Sequence, residues 1–217
     1  CMLPLQLDSS DPAALEAGAR CYNGIPLLNS VNGDRAVMER VFPIAKKYGA
    51  VVLGLTMNQK GVPRTARERA EIAERILLTA EEFGIPRSRV MIDTLVLTAS
   101  AEQTLVTETL KALSLVREMN VCTALGVSNV SFGLPARPLL NKTFLVMALA
   151  HGVSMPIMNP LDGDMMSAVH AFDVLSCADK GAERYISMYR DAAVGASAPV
   201  ARGTTTGQAS PAKDLFD

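Results

Sequence analysis

Six short apolar runs punctuate the chain, and each leads through a turn into a segment with helical periodicity. The runs Met2–Leu7, Ile25–Ser30, Ala50–Leu55, Val90–Ile92, Val121–Val127 and Met155–Met158 predict strands. They are nearly continuous in apolar residues, as expected of parallel strands covered on both faces. Their starts lie about 20–40 residues apart, room for a helix in each interval.

The intervals carry helix signals. Asp11 reads as an N-cap with Pro12 in the first turn. Thr65 and Glu68 predict a capping box ahead of a helix over 66–83, with Ile72, Ile76 and Leu77 on its apolar stripe and Arg67, Glu68, Glu71 and Glu74 facing water; Gly84 suits its end. Val106, Leu110, Leu113 and Val116 place a helix over 102–119. Helices are also expected over 36–48, where Pro43 should kink or restart the turn, and over 138–151 and 164–190.

Each strand stops at polar residues. Leu5-Gln6-Leu7 ends at Asp8-Ser9-Ser10, Pro26-Leu27-Leu28 at Asn29-Ser30, Val90-Met91-Ile92 at Asp93-Thr94, and Leu125-Gly126-Val127 at Ser128-Asn129. A barrel of parallel strands gathers such carboxyl-end side chains into one site. Any one of these residues alone is more readily explained as a helix cap; four in the same place favour a site built from Asp8, Asn29, Asp93 and Asn129.

Composition narrows the functions. The chain has 217 residues, 49% of them hydrophobic, enough to bury a substantial core as one or two domains. A net charge of −1 with both signs interspersed argues against an electrostatically driven nucleic-acid binder. No apolar run reaches the roughly 20 residues of a membrane helix, and residues 1–20 lack the pattern of a signal peptide. Cys1, Cys21, Cys122 and Cys177 are scattered without CxxC spacing, which reads as reduced, buried thiols in a cytoplasmic protein. There is no His- or Cys-rich cluster for a metal, no Gly-x-Gly-x-x-Gly after a strand and no Gly-Lys-Ser/Thr loop. Gly195 to Pro211 reads as a linker, dividing a barrel domain over 1–192 from a linker or the start of another module over 193–217. A closed (β/α)8 barrel needs eight strands; the start at Cys1, without an initiator Met and within a structural element, favours two further units upstream.

An ionised carboxylate only accepts hydrogen bonds, whereas a carboxamide both donates and accepts. Together they suit a flat heterocycle with adjacent ring N–H, exocyclic amine and carbonyl groups, such as a pterin or a purine.

Leu5-Gln6-Leu7-Asp8-Ser9-Ser10, Pro26-Leu27-Leu28-Asn29-Ser30-Val31-Asn32-Gly33, Leu55-Thr56-Met57 with Gly61-Val62-Pro63, Ile92-Asp93-Thr94-Leu95 and Gly126-Val127-Ser128-Asn129-Val130-Ser131-Phe132-Gly133-Leu134-Pro135 follow one another in an order that resembles the pterin-binding methyltransferases. That family includes the folate-binding domain of cobalamin-dependent methionine synthase and the methyltetrahydrofolate:corrinoid/iron–sulfur protein methyltransferase. The resemblance runs from about residue 3 to about residue 190. It implies an α/β fold, the (β/α)8 TIM barrel, entered at its third strand with the first two βα units absent from this chain. It implies that Asp8, Asn29 and Asp93 hydrogen-bond the pterin ring, that Asn129 lies beside N5, and that Ser128 and Asn32 support these contacts. It also implies a methyltransferase in which methyltetrahydrofolate is the substrate and a corrinoid-binding protein or domain supplies cobalamin, with a homodimer as one assembly. No Asp-x-His-x-x-Gly corrinoid pattern occurs in the sequence.

Departure of a methyl from N5 requires a proton or a strong hydrogen bond there, so a carboxamide able to donate favours the transition state over the ground state. No residue reads as a general acid with a near-neutral pKa, and the proton is expected through water and a network including Asn129 and Asp93. Dihydropteroate synthase shares the ring-binding pattern but needs positive charge for departing pyrophosphate; residues 94–98 and 128–131 carry none. A non-catalytic folate-binding module is the other alternative. His151 and His170 read as helix-end residues, the Met residues as filler, and Lys60, Arg64 and Arg137 as either ligand contacts or solvated loop charges.

Overall fold

The computed structural model describes residues 3–190; the expected linker and domain boundary, and Cys1 and Met2, lie outside them. Six strands form, β1 (Gln6–Asp8), β2 (Leu27–Asn32), β3 (Val51–Leu55), β4 (Val90–Asp93), β5 (Cys122–Gly126) and β6 (Met155–Ile157). Between them run α1 (Pro12–Cys21), α2 (Arg35–Tyr48), α3 (Ala66–Glu82), α4 (Gln103–Arg117) and α5 (Arg137–Ala150); α6 (Gly163–Leu175) and α7 (Glu183–Tyr189) follow β6.

All five strand pairings are parallel and the strands lie in sequence order. A doubly wound sheet reverses its order at a switch point; a sheet that never reverses, with a helix after each strand, is the singly wound arc of a TIM barrel. Among the described residues β1 and β6 are its edges.

Alternation along each strand splits the core in two. Leu28, Val52 and Ile92 pack on the helix side with Phe42, Ile76 and Leu77, and a second helix-side cluster joins Leu125 to Leu113, Phe144 and Leu145. Leu27, Leu53 and Ala124 point the other way, with Met91 and Met155 against them. β2 to β5 therefore bury both faces, the physical origin of their apolar runs, whereas the edge strands β1 and β6 hold no fully buried residue.

The helix ends follow the local sequence. Asp11 accepts from the backbone N–H of Ala13 at 2.9 Å. Thr65 Oγ1 accepts from the Glu68 N–H, and the Thr65 N–H donates to the Glu68 carboxylate, each at 3.3 Å, closing the capping box. Thr65→Ala is expected to cost about 1 kcal/mol, about 3 °C in melting temperature by calorimetry. Helix α3 ends at Phe83, and Gly84 follows with φ +74°, where a side chain would be strained.

Two expectations fail locally. Helix α2 does not restart at Pro43 but continues through it, with the proline on the exposed face, where the carbonyl one turn back is left to water. The helix expected over 164–190 is broken between α6 and α7, where Cys177 and Gly181 take φ +60° and +66°. Cys21, Cys122 and Cys177 are free but exposed, not buried.

Candidate functional site

The carboxyl ends of the strands surround a cavity of about 460 Å³, lined by Asp8, Asn29, Asn32 and Asp93, with Leu53 and Leu55 beneath them. That is within the size range of small-ligand pockets. Strand register explains the convergence. Asp8 is the Cα partner of Asn29, and Asn29 of Leu53. One row further along, Leu55 is flanked by Asn32 on one side and Asp93 on the other. At about 4.8 Å per strand, these two polar groups straddle Leu55 at about 10 Å, the scale of a bicyclic heterocycle.

Asn29 and Asn32 are three residues apart and should face opposite sides of a regular strand. The register shifts between Asn29 and Val31. Val31 joins the helix-side core, and Asn32 lines the cavity with Asn29. A bulge thus aims two carboxamides into one space. Gly33 next permits close approach: a Cβ there would lie 2.8 Å from Ile72 Cγ2 and 3.0 Å from the Met57 carbonyl oxygen.

Helix capping does not account for these residues. The N-caps of α1, α2 and α4 are Asp11, Asp34 and Glu102. Of Asp8, Asn29 and Asn32, only Asn32 spends an oxygen locally, accepting from the Asp34 N–H at 2.9 Å.

Asp93 is 6% exposed. Burial pushes its carboxyl up to about 6, and a 2.7 Å hydrogen bond donated by the Leu95 N–H opposes the rise. The structure thus supplies the near-neutral group that the sequence does not announce. Leu95 has φ +57°, an unusual conformation for a branched residue.

Asn129 and Ser128 lie beyond β5, in a short 3-10 turn over Val127–Ser131. Both are exposed, and neither lines the cavity. They share its end of the sheet, since Gly126 is the Cα partner of the cavity residue Ile157. The Asn129 amide folds back over Gly126, with Nδ2 3.2 Å from where a Cβ would stand. Arg137 fixes this turn, donating to Ser131 Oγ at 3.0 Å and the Ser128 carbonyl at 3.1 Å; its guanidinium lies 4.5 Å from the Phe132 ring centroid. Its role is therefore structural support of the turn. Arg64 is paired with Glu102. His151 Nδ1 meets the Met147 carbonyl at 2.8 Å as a helix-end contact, whereas His170, expected at a helix end, sits mid-way along α6 and its Nδ1 meets the Tyr189 hydroxyl of α7 at 3.2 Å. Among the described residues no group of His, Cys, Asp and Glu could hold a metal ion, and no helix is long and apolar enough to cross a membrane.

Sequence and structural comparisons place the chain in a family and its fold among known ones. A family model described as pterin binding enzyme matches residues 2–159. The chain belongs to the pterin-binding enzyme family. It is 29% identical over 196 residues to methylcorrinoid:tetrahydrofolate methyltransferase of Eubacterium limosum, across 88% of this chain and 72% of that protein. It is 35% identical over 158 residues to methionine synthase of Mycobacterium tuberculosis, across 66% of this chain but 13% of that protein. Dihydropteroate synthase from Thermus thermophilus superposes with a TM-score of 0.63 at 18% identity, over 80% of this chain and 71% of that one. The Yersinia pestis dihydropteroate synthase gives 0.64 at 15% identity, over 82% and 74%. At these identities the structural likeness speaks for the barrel fold alone.

The residue that sequence reasoning missed is Arg69. It is fully buried and falls within the α3 stripe formed by Ile72, Ala73, Ile76, Leu77 and Ala80. A charge at a stripe position was the available signal.

Proposed function

We propose that the protein is a methyltransferase that binds methyltetrahydrofolate in the cavity and passes its N5-methyl group to the cobalt of a corrinoid carried by a partner protein or domain. The convergence of Asp8, Asn29, Asn32 and Asp93 on one cavity supports this reading most directly. In it, Asp93 accepts the ring N–H and the exocyclic amine in parallel, Asp8 and Asn29 hydrogen-bond the rest of the ring edge, and Asn129 donates to N5. Asn32 and Ser128 support these contacts. Leu53 and Leu55 give the ring an apolar surface and exclude water.

The reduced corrinoid supplies the nucleophile. Neither histidine of this chain lines the cavity, consistent with a corrinoid held elsewhere. This chain's own part is to orient the pterin and move a proton to N5 through Asn129, Asp93 and water. The Eubacterium relative is named for transfer in the opposite direction. One site serves both directions, because the same N5 hydrogen bond stabilises a common transition state.

Dihydropteroate synthase chemistry is the weaker reading. Residues 94–98 hold no charge, and Arg137 is engaged by Ser128, Ser131 and Phe132 rather than offered to a leaving pyrophosphate.

Calorimetric titration with methyltetrahydrofolate should show one site, and addition of free cob(I)alamin should then yield methylcobalamin. Absence of binding would return the strand-end residues to structural roles. Binding without methyl transfer would leave a folate-binding module, and consumption of a pterin pyrophosphate with 4-aminobenzoate would favour the synthase.

A further inference from the structure

Arg69 is the largest wholly buried side chain that carries charge. Among the described residues no carboxylate pairs with it directly. Its Nε donates to the Pro63 carbonyl at 2.8 Å, on the loop leading into α3. Its Nη1 reaches the Thr94 carbonyl at 3.2 Å, the Leu95 carbonyl at 2.9 Å and Thr109 Oγ1 at 2.8 Å. Thr109 Oγ1 itself lies 3.1 Å from the Leu95 carbonyl. One guanidinium thus ties together the β3–α3 loop, the β4–α4 loop and helix α4.

The tie converges on one residue, Leu95. Leu95 presents its carbonyl to Arg69 and Thr109, and its N–H to the Asp93 carboxylate at 2.7 Å. Between these contacts Leu95 holds a positive φ, and a branched side chain does not hold that conformation without support. Burying a guanidinium is costly unless all its donors are used, and Nη2 finds no partner among the described residues. A cation kept here at that cost implies a requirement that an apolar residue could not meet. Only a rigid fork of donors can reach three segments at once.

We infer that Arg69 is a positioning residue for Asp93: by holding the Thr94 and Leu95 carbonyls, with Thr109, it locks the two peptides that flank Leu95 so that the carboxylate is aimed into the cavity and keeps its backbone donor. The inference rests on the pterin-site reading for its functional meaning, while the clamp itself is a property of the free protein. The other charged groups around Asp93 are Asp8 of β1 and Arg40 of α2 across the cavity, and Glu108 of α4 behind the loop. Glu108 accepts from the Ala66 N–H and from Lys111. None of these touches the Leu95 peptide.

The test follows the Asp93 carboxyl by carbon-detected NMR across pH in the free protein, for wild type, Arg69→Met, Arg69→Lys and Thr109→Val. Loss of the Leu95 donor should raise the Asp93 midpoint by about one pH unit in Arg69→Met, less in Arg69→Lys, whose ammonium can keep part of the contact. Methyltetrahydrofolate affinity at pH 7 should fall about tenfold in Arg69→Met, with partial rescue by lysine. Thr109→Val removes the second hydrogen bond to Leu95 without unburying a charge, and decides the matter if the Arg69 variants do not fold. A role in stability alone would lower the melting temperature and leave the Asp93 midpoint at its wild-type value in every folded variant; that result overturns the inference. A wild type that titrates as described but binds no folate sinks the pterin reading and not the clamp.

Discussion

Asp93→Asn should melt at a higher temperature than the wild type at pH 7 and bind methyltetrahydrofolate at least about 100-fold more weakly. Both effects come from the same burial. The carboxyl is 6% exposed, and its pKa stands at about 6 against an ordinary value of 3.8. The folded state therefore binds the proton more tightly than the unfolded chain. Stability from this group is greatest below pH 4, falls as pH rises between about 4 and about 6, and stays low above that, a loss of about 3 kcal/mol. Asparagine removes the titration and can still accept from Leu95, so it should recover about 2 kcal/mol at pH 7, about 5 °C, and nothing at pH 4. Thermal unfolding at both pH values checks this. A variant less stable than wild type at pH 7 would show that the carboxylate is satisfied by contacts other than the Leu95 N–H.

Binding has the opposite sign. The reading requires the ionised form, which accepts two parallel donors; the carboxamide turns one acceptor into a donor and opposes the ring. Wild-type affinity should accordingly fall about tenfold per pH unit below about 6. A site that lowers stability in the free protein and is relieved by its ligand is the usual balance at functional positions.

The fold was legible because several levels of the sequence agree. Both faces of the inner strands β2 to β5 are buried, which wrote the runs near Leu27, Val52 and Ile92 as unbroken apolar segments. Asp11 and the Thr65–Glu68 pair marked helix starts that the structure keeps. Where one rule was used alone it misled. Pro43 did not restart the helix: α2 continues through it with the proline on the exposed face. The break after Leu175 has no strong breaker at Cys177, which adopts its positive φ without being glycine.

The site was legible as a list of strand-end residues but not as a geometry. Asp8, Asn29 and Asp93 follow from where strands stop. That Asn32 shares their cavity depends on a bulge, a feature of pairing with β3 that no local pattern encodes. The perturbed carboxyl of Asp93 depends on burial by other segments, and Arg69 acts through loops that are distant in sequence. Asn129 was read beside these residues, and the structure puts it at the same end of the sheet but on an exposed turn.

That exposure gives Asn129→Ala a distinct signature. In the proposed site Asn129 meets the ligand only beside N5 and contacts little of the pterin ring, so affinity for methyltetrahydrofolate should change by about threefold or less. Its donor is needed when N5 gains charge as the methyl leaves, and hydrogen bonds of this kind account for about 100-fold to 1,000-fold in rate. Single-turnover transfer to cob(I)alamin should therefore slow by about that factor while binding is nearly kept, the pattern of an interaction made mainly in the transition state. Asp93→Asn should show the reverse emphasis, losing ground-state binding first. If Asn129→Ala transfers at the wild-type rate, proton delivery to N5 does not pass through the β5 turn. Arg137, which holds that turn by Ser128 and Ser131, would then be a structural tether with no bearing on transfer.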